Sequence, residues 1–253
     1  MGDLSTFLEL FDEPFIHRAL IGGFLTGSLG GLIGCFAVLR QLSFFSDALG
    51  HSALLGITLG ILLKVNPTFV LIPFAIIFAF LVSNLVERSS LPADALLNIV
   101  YSSSLAAAVL ALSKINSYNG SIKQLLFGDI LGITASDIYI TLCLFIVSFI
   151  YLLFTLRSQV LLTLNEDLAG SIGITTRFHK LAFIILLGVV VSVSIKSVGV
   201  LLISAFVVIP ACAGRLISRK FSSYITFSML LGGLCALFGL VLSGFFNLPS
   251  GPM

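Results

Sequence analysis

The sequence predicts an all-α integral membrane protein with about eight transmembrane helices. Composition is the first observation behind this. Hydrophobic residues make up 58% of the 253-residue chain and charged residues 9%, with mean hydropathy +1.18, whereas a soluble domain carries about 25% charged residues. Periodic interruption is the second. Apolar runs of about 20 residues, the length needed to cross a bilayer as a helix, alternate with short stretches rich in charge, proline and glycine. The spans use nearly the whole chain, so no separate soluble domain fits. A net charge of +2 without a basic patch interleaved with aromatics gives no sign of nucleic-acid binding.

The expected spans are 17–39, 42–63, 66–86, 94–113, 136–156, 180–197, 199–218 and 222–246. They form one polytopic domain, 17–253, after a segment 1–16 that is acidic (Asp3, Glu9, Asp12, Glu13). That segment lacks a basic region followed by a cleavable apolar core, so a signal peptide is not expected. A short interfacial helix over Ser5–Phe11 is compatible with it. The first span carries Gly23, Gly27, Gly30, Gly31 and Gly34, a spacing that lets helix backbones approach closely. Asn66-Pro67 and Val198-Gly199 make two very short connections, each implying an antiparallel pair. Pro210, inside the seventh span, frees a backbone carbonyl that a neighbour or a cavity must satisfy. The cysteines Cys35, Cys143, Cys212 and Cys235 lie in apolar runs without a CxxC pair and read as small buried hydrophobes.

Basic residues set the orientation. With the loop between spans five and six in the cytoplasm, the inner side holds Arg40, Arg88, Arg157, Arg177, Lys180, Arg215, Arg219 and Lys220. The outer side holds Arg18, Lys64, Lys114, Lys123 and Lys196. Both termini then lie outside, including the acidic N-terminal segment. The outer loop 114–135 has room for a short helix at Ile122–Phe127. The inner loop 157–179 predicts a short amphipathic helix at about 166–172: Asn165 suits an N-cap, Glu166 and Asp167 a first turn, and Gly173 a C′ stop.

Span two holds the chemistry. Asp47 and His51 are four residues apart, which stacks them on one helix face about 6 Å apart along the axis. A carboxylate and an imidazole amid hydrocarbon and glycine need partners, water or a bound cation. An anionic oxygen beside a neutral ring nitrogen also suits a divalent transition metal. Mutual satisfaction as a structural pair is the alternative. Asp94, at the start of the fourth span, is either a charge favoured by the helix dipole or a further transport residue. His17 and His179 sit at membrane boundaries.

Six segments in order resemble the permease subunits of bacterial metal-ion ABC importers, the manganese, zinc and iron uptake family. They are Val38-Leu-Arg40 with Asp47-Ala-Leu-Gly-His51, Ala93-Asp94-Ala-Leu-Leu-Asn-Ile-Val100, Leu126-Phe-Gly-Asp-Ile-Leu-Gly132, Asn165-Glu-Asp-Leu-Ala-Gly-Ser-Ile-Gly-Ile174, Ser197 to Ala211, and Leu248-Pro-Ser-Gly-Pro252. The resemblance runs from about Leu20 to Pro252. Gly50 stands where the family often has serine, and Ala93 where a glutamate often precedes the aspartate.

The resemblance implies a type II ABC importer-like permease that pairs with a second copy of itself in the bacterial cytoplasmic membrane. It implies a cytoplasmic ATP-binding subunit docked on the helix near 166–174, through Asn165, Glu166, Asp167, Leu168, Ile172 and Gly173, and an extracytoplasmic protein that delivers the metal. Asp47 and His51 resemble the family's intramembrane metal site, with Asp94 as a further candidate. The divalent metal is then substrate rather than cofactor. The chain contains no G-x-x-x-x-G-K-[ST], so ATP would be bound and hydrolysed by the partner and this chain is not itself an enzyme. A transporter or channel driven by ion gradients would also use an intramembrane Asp and His, as a proton relay. An intramembrane hydrolase is disfavoured by the lack of H-E-x-x-H and of a second deep aspartate.

Overall fold

The computed structural model describes residues 13–113 and 126–246, all of its regular structure helical. The helices are α1 (Pro14–Leu39), α2 (Ser43–Leu62), α3 (Pro67–Arg88), α4 (Ala93–Leu112), α5 (Ala135–Leu164), α6 (Glu166–Ser171), α7 (Thr176–Val198), α8 (Ile203–Ile217) and α9 (Phe221–Phe246). Seven of them are long and apolar enough to cross a membrane, and α8 is a shorter apolar helix. The protein is therefore a multi-pass membrane protein; its helices follow the eight expected spans and the inner-loop helix in order, but α5 continues to Leu164, into the expected loop segment 157–179. The expected helix at Ser5–Phe11, most of the one at Ile122–Phe127, and the Leu248–Pro252 segment lie outside the described residues.

α1 is the hub. It is the most buried of the spanning helices and packs on α9, α8, α5 and α7. Its glycines explain why. A Cβ on Gly31 would lie 2.2 Å from the Ser228 carbonyl oxygen of α9, and one on Gly27 would lie 2.3 Å from that of Gly232. Backbone meets backbone, which in a bilayer replaces the hydrophobic drive that water would supply. Above this contact Phe36 is fully buried, with its ring 5.5 Å from Phe221 and 6.1 Å from Phe183. The remaining packing joins α2 to α4 and α3, and α3 to α7.

The seventh expected span, 199–218, is shorter in the structure. α8 has 15 residues, about 22 Å of helix against a hydrocarbon core of about 30 Å. Irregular backbone makes up the difference, satisfied by protein. The Asp129 N–H donates to the Lys196 carbonyl at 3.1 Å, and the Leu201 N–H donates to the Leu126 carbonyl at 3.2 Å. Gly128 (φ +75) and Gly199 (φ +89) cross there, and a Cβ on Gly199 would lie 2.4 Å from the Gly128 nitrogen. Two of the sequence segments with no evident chemistry, around Phe127 and around Val198, are thus one interlocked joint. The Lys196 ammonium adds an ion pair at 2.6 Å with Asp137, the residue that completes a capping box with Thr134 at the start of α5.

The cysteines correct another expectation. Cys35 is buried, but Cys143, Cys212 and Cys235 are exposed on the outside of the bundle. An apolar run in a membrane helix faces lipid as readily as core, so it does not report burial.

The α1–α9 contact gives a direct test. Gly31→Ala and Gly27→Ala should lower thermal stability and folded yield, in the range of about 1–3 kcal/mol that overpacking costs. Gly23→Ala should be tolerated, because its nearest neighbour is the methyl tip of Ile130 at 3.0 Å. Melting of the detergent-purified proteins by fluorescence checks this; equal stability of all three would mean the helices separate freely.

Candidate functional site

α2 holds Asp47 and His51 on its second and third turns. His51 Nε2 lies 3.7 Å from Asp47 Oδ1, with side chains 22% and 35% exposed respectively. That separation is too long for a hydrogen bond. The two groups face the same space without consuming each other's lone pairs, and each keeps access from outside the chain. The His51 ring rests on Tyr101 of α4, centroids 5.3 Å apart, which fixes its orientation. Gly50, beside it, is buried; a Cβ there would press on Ile203 of α8 at 2.8 Å. A serine at that position would crowd α8 in this packing.

Asp94 is exposed on the first turn of α4. α2 and α4 run in the same direction, with Tyr101 level with His51, so Asp94 lies level with the first turn of α2 and is not joined to the pair. Among the described residues no three His, Cys, Asp or Glu side chains come together. Among the described residues one chain therefore brings together one carboxylate and one imidazole here, fewer groups than the three or four protein ligands typical of a zinc site.

The sequence reading missed the rest of this face. Asn98 and Ser102 of α4 are exposed, and the Ser102 hydroxyl donates to Asn98 Oδ1 at 3.4 Å. With Asp94 they form an i, i+4, i+8 polar stripe, a spacing legible in the sequence; the neighbouring Ser103 and Ser104 turn their hydroxyls back onto the helix's own carbonyls. Such a stripe is costly against hydrocarbon.

The inner-loop helix forms as its caps require. The Leu168 N–H donates to Asn165 Oδ1 at 3.1 Å. At the far end Gly173 adopts φ +85, the Gly173 N–H donates to Gly170 and the Ile174 N–H to Ala169, which is a Schellman stop. Glu166 pairs with Lys180 of α7, and Arg177 of α7 pairs with Glu87 of α3 at 2.9 Å. Ala169 is buried against the bundle, while Leu168 and Ile172 are 57% and 61% exposed. α6 is thus clamped to the bundle and exposes two apolar side chains beside the polar Glu166, Asp167 and Ser171.

These features define the class: a polytopic helical membrane permease with a carboxylate–imidazole pair on one spanning helix and a short capped helix between α5 and α7. The chain belongs to the ABC 3 transport family, whose model matches residues 12–253. It is 32% identical over 238 residues to the high-affinity zinc uptake system membrane protein ZnuB of Haemophilus influenzae, covering 94% of this chain and 91% of that protein. It is 28% identical to the manganese import system permease protein ScaB of Streptococcus gordonii, covering 96% and 87%. The solved structure of PsaBC from Streptococcus pneumoniae in complex with Fab superposes with TM-score 0.86 at 26% identity, covering 99% of this chain and 90% of that one.

The pair's geometry sets an expectation for mutation. Asp47→Asn removes the negative charge and His51→Ala removes the imidazole, and neither breaks a hydrogen bond between the two. Membrane abundance should hold within about twofold, since a part-exposed ion pair contributes about 0–1 kcal/mol. Metal uptake should fall sharply in both. The double variant Asp47→Leu/His51→Leu should stay inactive, as read by quantitative immunoblot alongside uptake. A double variant with normal uptake would mean the pair is only structural.

Proposed function

We infer that this chain is the membrane permease of an ATP-driven importer that moves a divalent transition metal, manganese, zinc or iron, into the cytoplasm. The observation that carries this is the pairing of two features in one family-wide fold: an open carboxylate–imidazole pair on α2 and a capped docking helix on the cytoplasmic side. The zinc and manganese uptake permeases among its relatives support the substrate class.

Asp47 and His51 act as the metal's ligands in transit. A second copy supplies the rest of the coordination. What supports this is that one chain brings together two ligands, and that the exposed polar stripe of α4 needs cover other than lipid. Two copies related by a two-fold axis give two oxygens and two nitrogens, enough for a four-coordinate ion. Asp94, one turn closer to the cytoplasm, would receive or release the ion rather than complete the site. An extracytoplasmic binding protein delivers the metal, and a cytoplasmic ABC subunit hydrolyses ATP while docked on α6 through Leu168 and Ile172.

Reconstitution tests the reading. Proteoliposomes containing the permease, its ATPase and its binding protein should accumulate manganese or zinc only with ATP, and permease alone should accumulate neither. Uptake by permease alone under a proton gradient would overturn it. Leu168→Asp or Ile172→Asp should reduce ATPase association by at least about tenfold, as losing a buried apolar anchor does. Co-purification measures this. Unchanged association would remove α6 as the docking element.

A further inference from the structure

Arg40 joins parts of the molecule that lie far apart in the sequence. It caps α1 and precedes the turn into α2. Its Nε donates to Thr163 Oγ1 at 3.2 Å, and its terminal nitrogen donates to the Gln159 carbonyl at 3.0 Å and to the Gln159 side-chain oxygen. Its guanidinium carbon sits 4.7 Å from the centroid of the Phe183 ring on α7. Gln159 is fully buried; its amide donates to the Tyr151 hydroxyl at 2.8 Å, and its carbonyl also accepts from Thr163 at 2.8 Å. None of the ion pairs among the described residues includes Arg40. The negative C-terminal ends of α1 and α5 are what it faces instead. Burial brings its ionisation down to about 10, so it stays charged at neutral pH.

α5 and α7 are the helices on either side of the docking helix α6. Thr163 lies two positions before its cap, Asn165. On the other side of the guanidinium, the turn into α2 is stiff. Gln41 holds φ +58, its N–H donates to Val38, and the Leu42 N–H donates to Ala37 at 2.8 Å. α2 begins at once with Ser43, and Asp47 follows on its second turn. α5 packs along α1 rather than along α2, so the guanidinium is a direct polar tie from the α6 support to the start of the ligand helix.

We propose that Arg40 is the positioning residue that transmits movement of the docking helix to the Asp47–His51 pair, by tying α5 and α7 to the turn from which α2 starts. This rests on the importer reading above. A displacement of α6 by the ATPase shifts the end of α5; the forked bonds carry that shift to the α1–α2 turn, and α2 moves with it. The fork matters as much as the charge, because a planar guanidinium bonds acceptors along its edge while meeting a ring through its face, an arrangement the compact ammonium of lysine does not reproduce.

The test uses the complete transporter in proteoliposomes and reads metal ions imported per ATP hydrolysed, per assembled complex. Arg40→Lys and Arg40→Gln should keep ATPase association and hydrolysis within about twofold while the ratio falls about tenfold, a typical size for a coupling effect. Thr163→Val, which removes one acceptor and nearly preserves shape, should lower the ratio by a smaller factor and fold normally. A merely structural staple gives a different result: fewer assembled complexes, each with the wild-type ratio. That outcome, or hydrolysis and import falling in parallel at constant ratio, overturns the proposal. If the Arg40 variants do not assemble, an unchanged ratio in Thr163→Val overturns it alone. A wild-type complex without ATP-dependent import would instead refute the importer reading, so the two failures are distinguishable.

Discussion

An ionisable side chain inside a bilayer must meet something other than hydrocarbon, and the placement of α2 follows from that constraint. Asp47 and His51 are held close enough to share a cation but too far apart to satisfy each other. α4 supports the imidazole through Tyr101. α8 comes up behind α2 at Gly50, where a side chain would meet Ile203. The α1 hub, with its backbone contact to α9, keeps the bundle dense enough for that geometry to persist. α2 is thus fixed on its inner side and open on the side that carries Asp47 and His51.

The same economy of satisfied groups shapes the two ends. On the outer side, a spanning helix too short for the bilayer is completed by the Leu126–Asp129 and Lys196–Leu201 backbones bonding to each other. At the opposite end, α5 is 30 residues long, about 45 Å against a hydrocarbon core of about 30 Å, and leads directly into α6. Its last turns carry Gln159 and Thr163, which bond the cationic side chain of Arg40 from the α1–α2 turn just ahead of α6. The start of α2 and the end of α5 are then parts of one connected frame.

Much of this was legible in the sequence, for physical reasons. Helix spans are written in local hydropathy, so all eight were found. Asp47 and His51 stood out because charge is rare in such runs, and the α6 caps follow from Asn165 and Gly173 directly. What was not legible depends on contacts across the chain. The Arg40–Gln159 bond joins residues 119 apart. α8 falls short because the Gly128–Gly199 crossing takes over its first residues, and apolar pattern alone extends the span to 199. Exposure of Cys143, Cys212 and Cys235 was misread since hydropathy does not separate lipid from core. The Asp94–Asn98–Ser102 stripe was readable from its spacing, but only Asp94 carries a charge that attracts notice.

The central claim is that Asp47 and His51 hold the metal during transport. X-ray absorption on the zinc-loaded transporter, wild type and Asp47→Leu/His51→Leu, addresses this most directly. The account predicts a mixed nitrogen and oxygen shell at about 2.0–2.2 Å in the wild type, lost with the bound zinc in the double variant. The same shell and metal content in both proteins would contradict it.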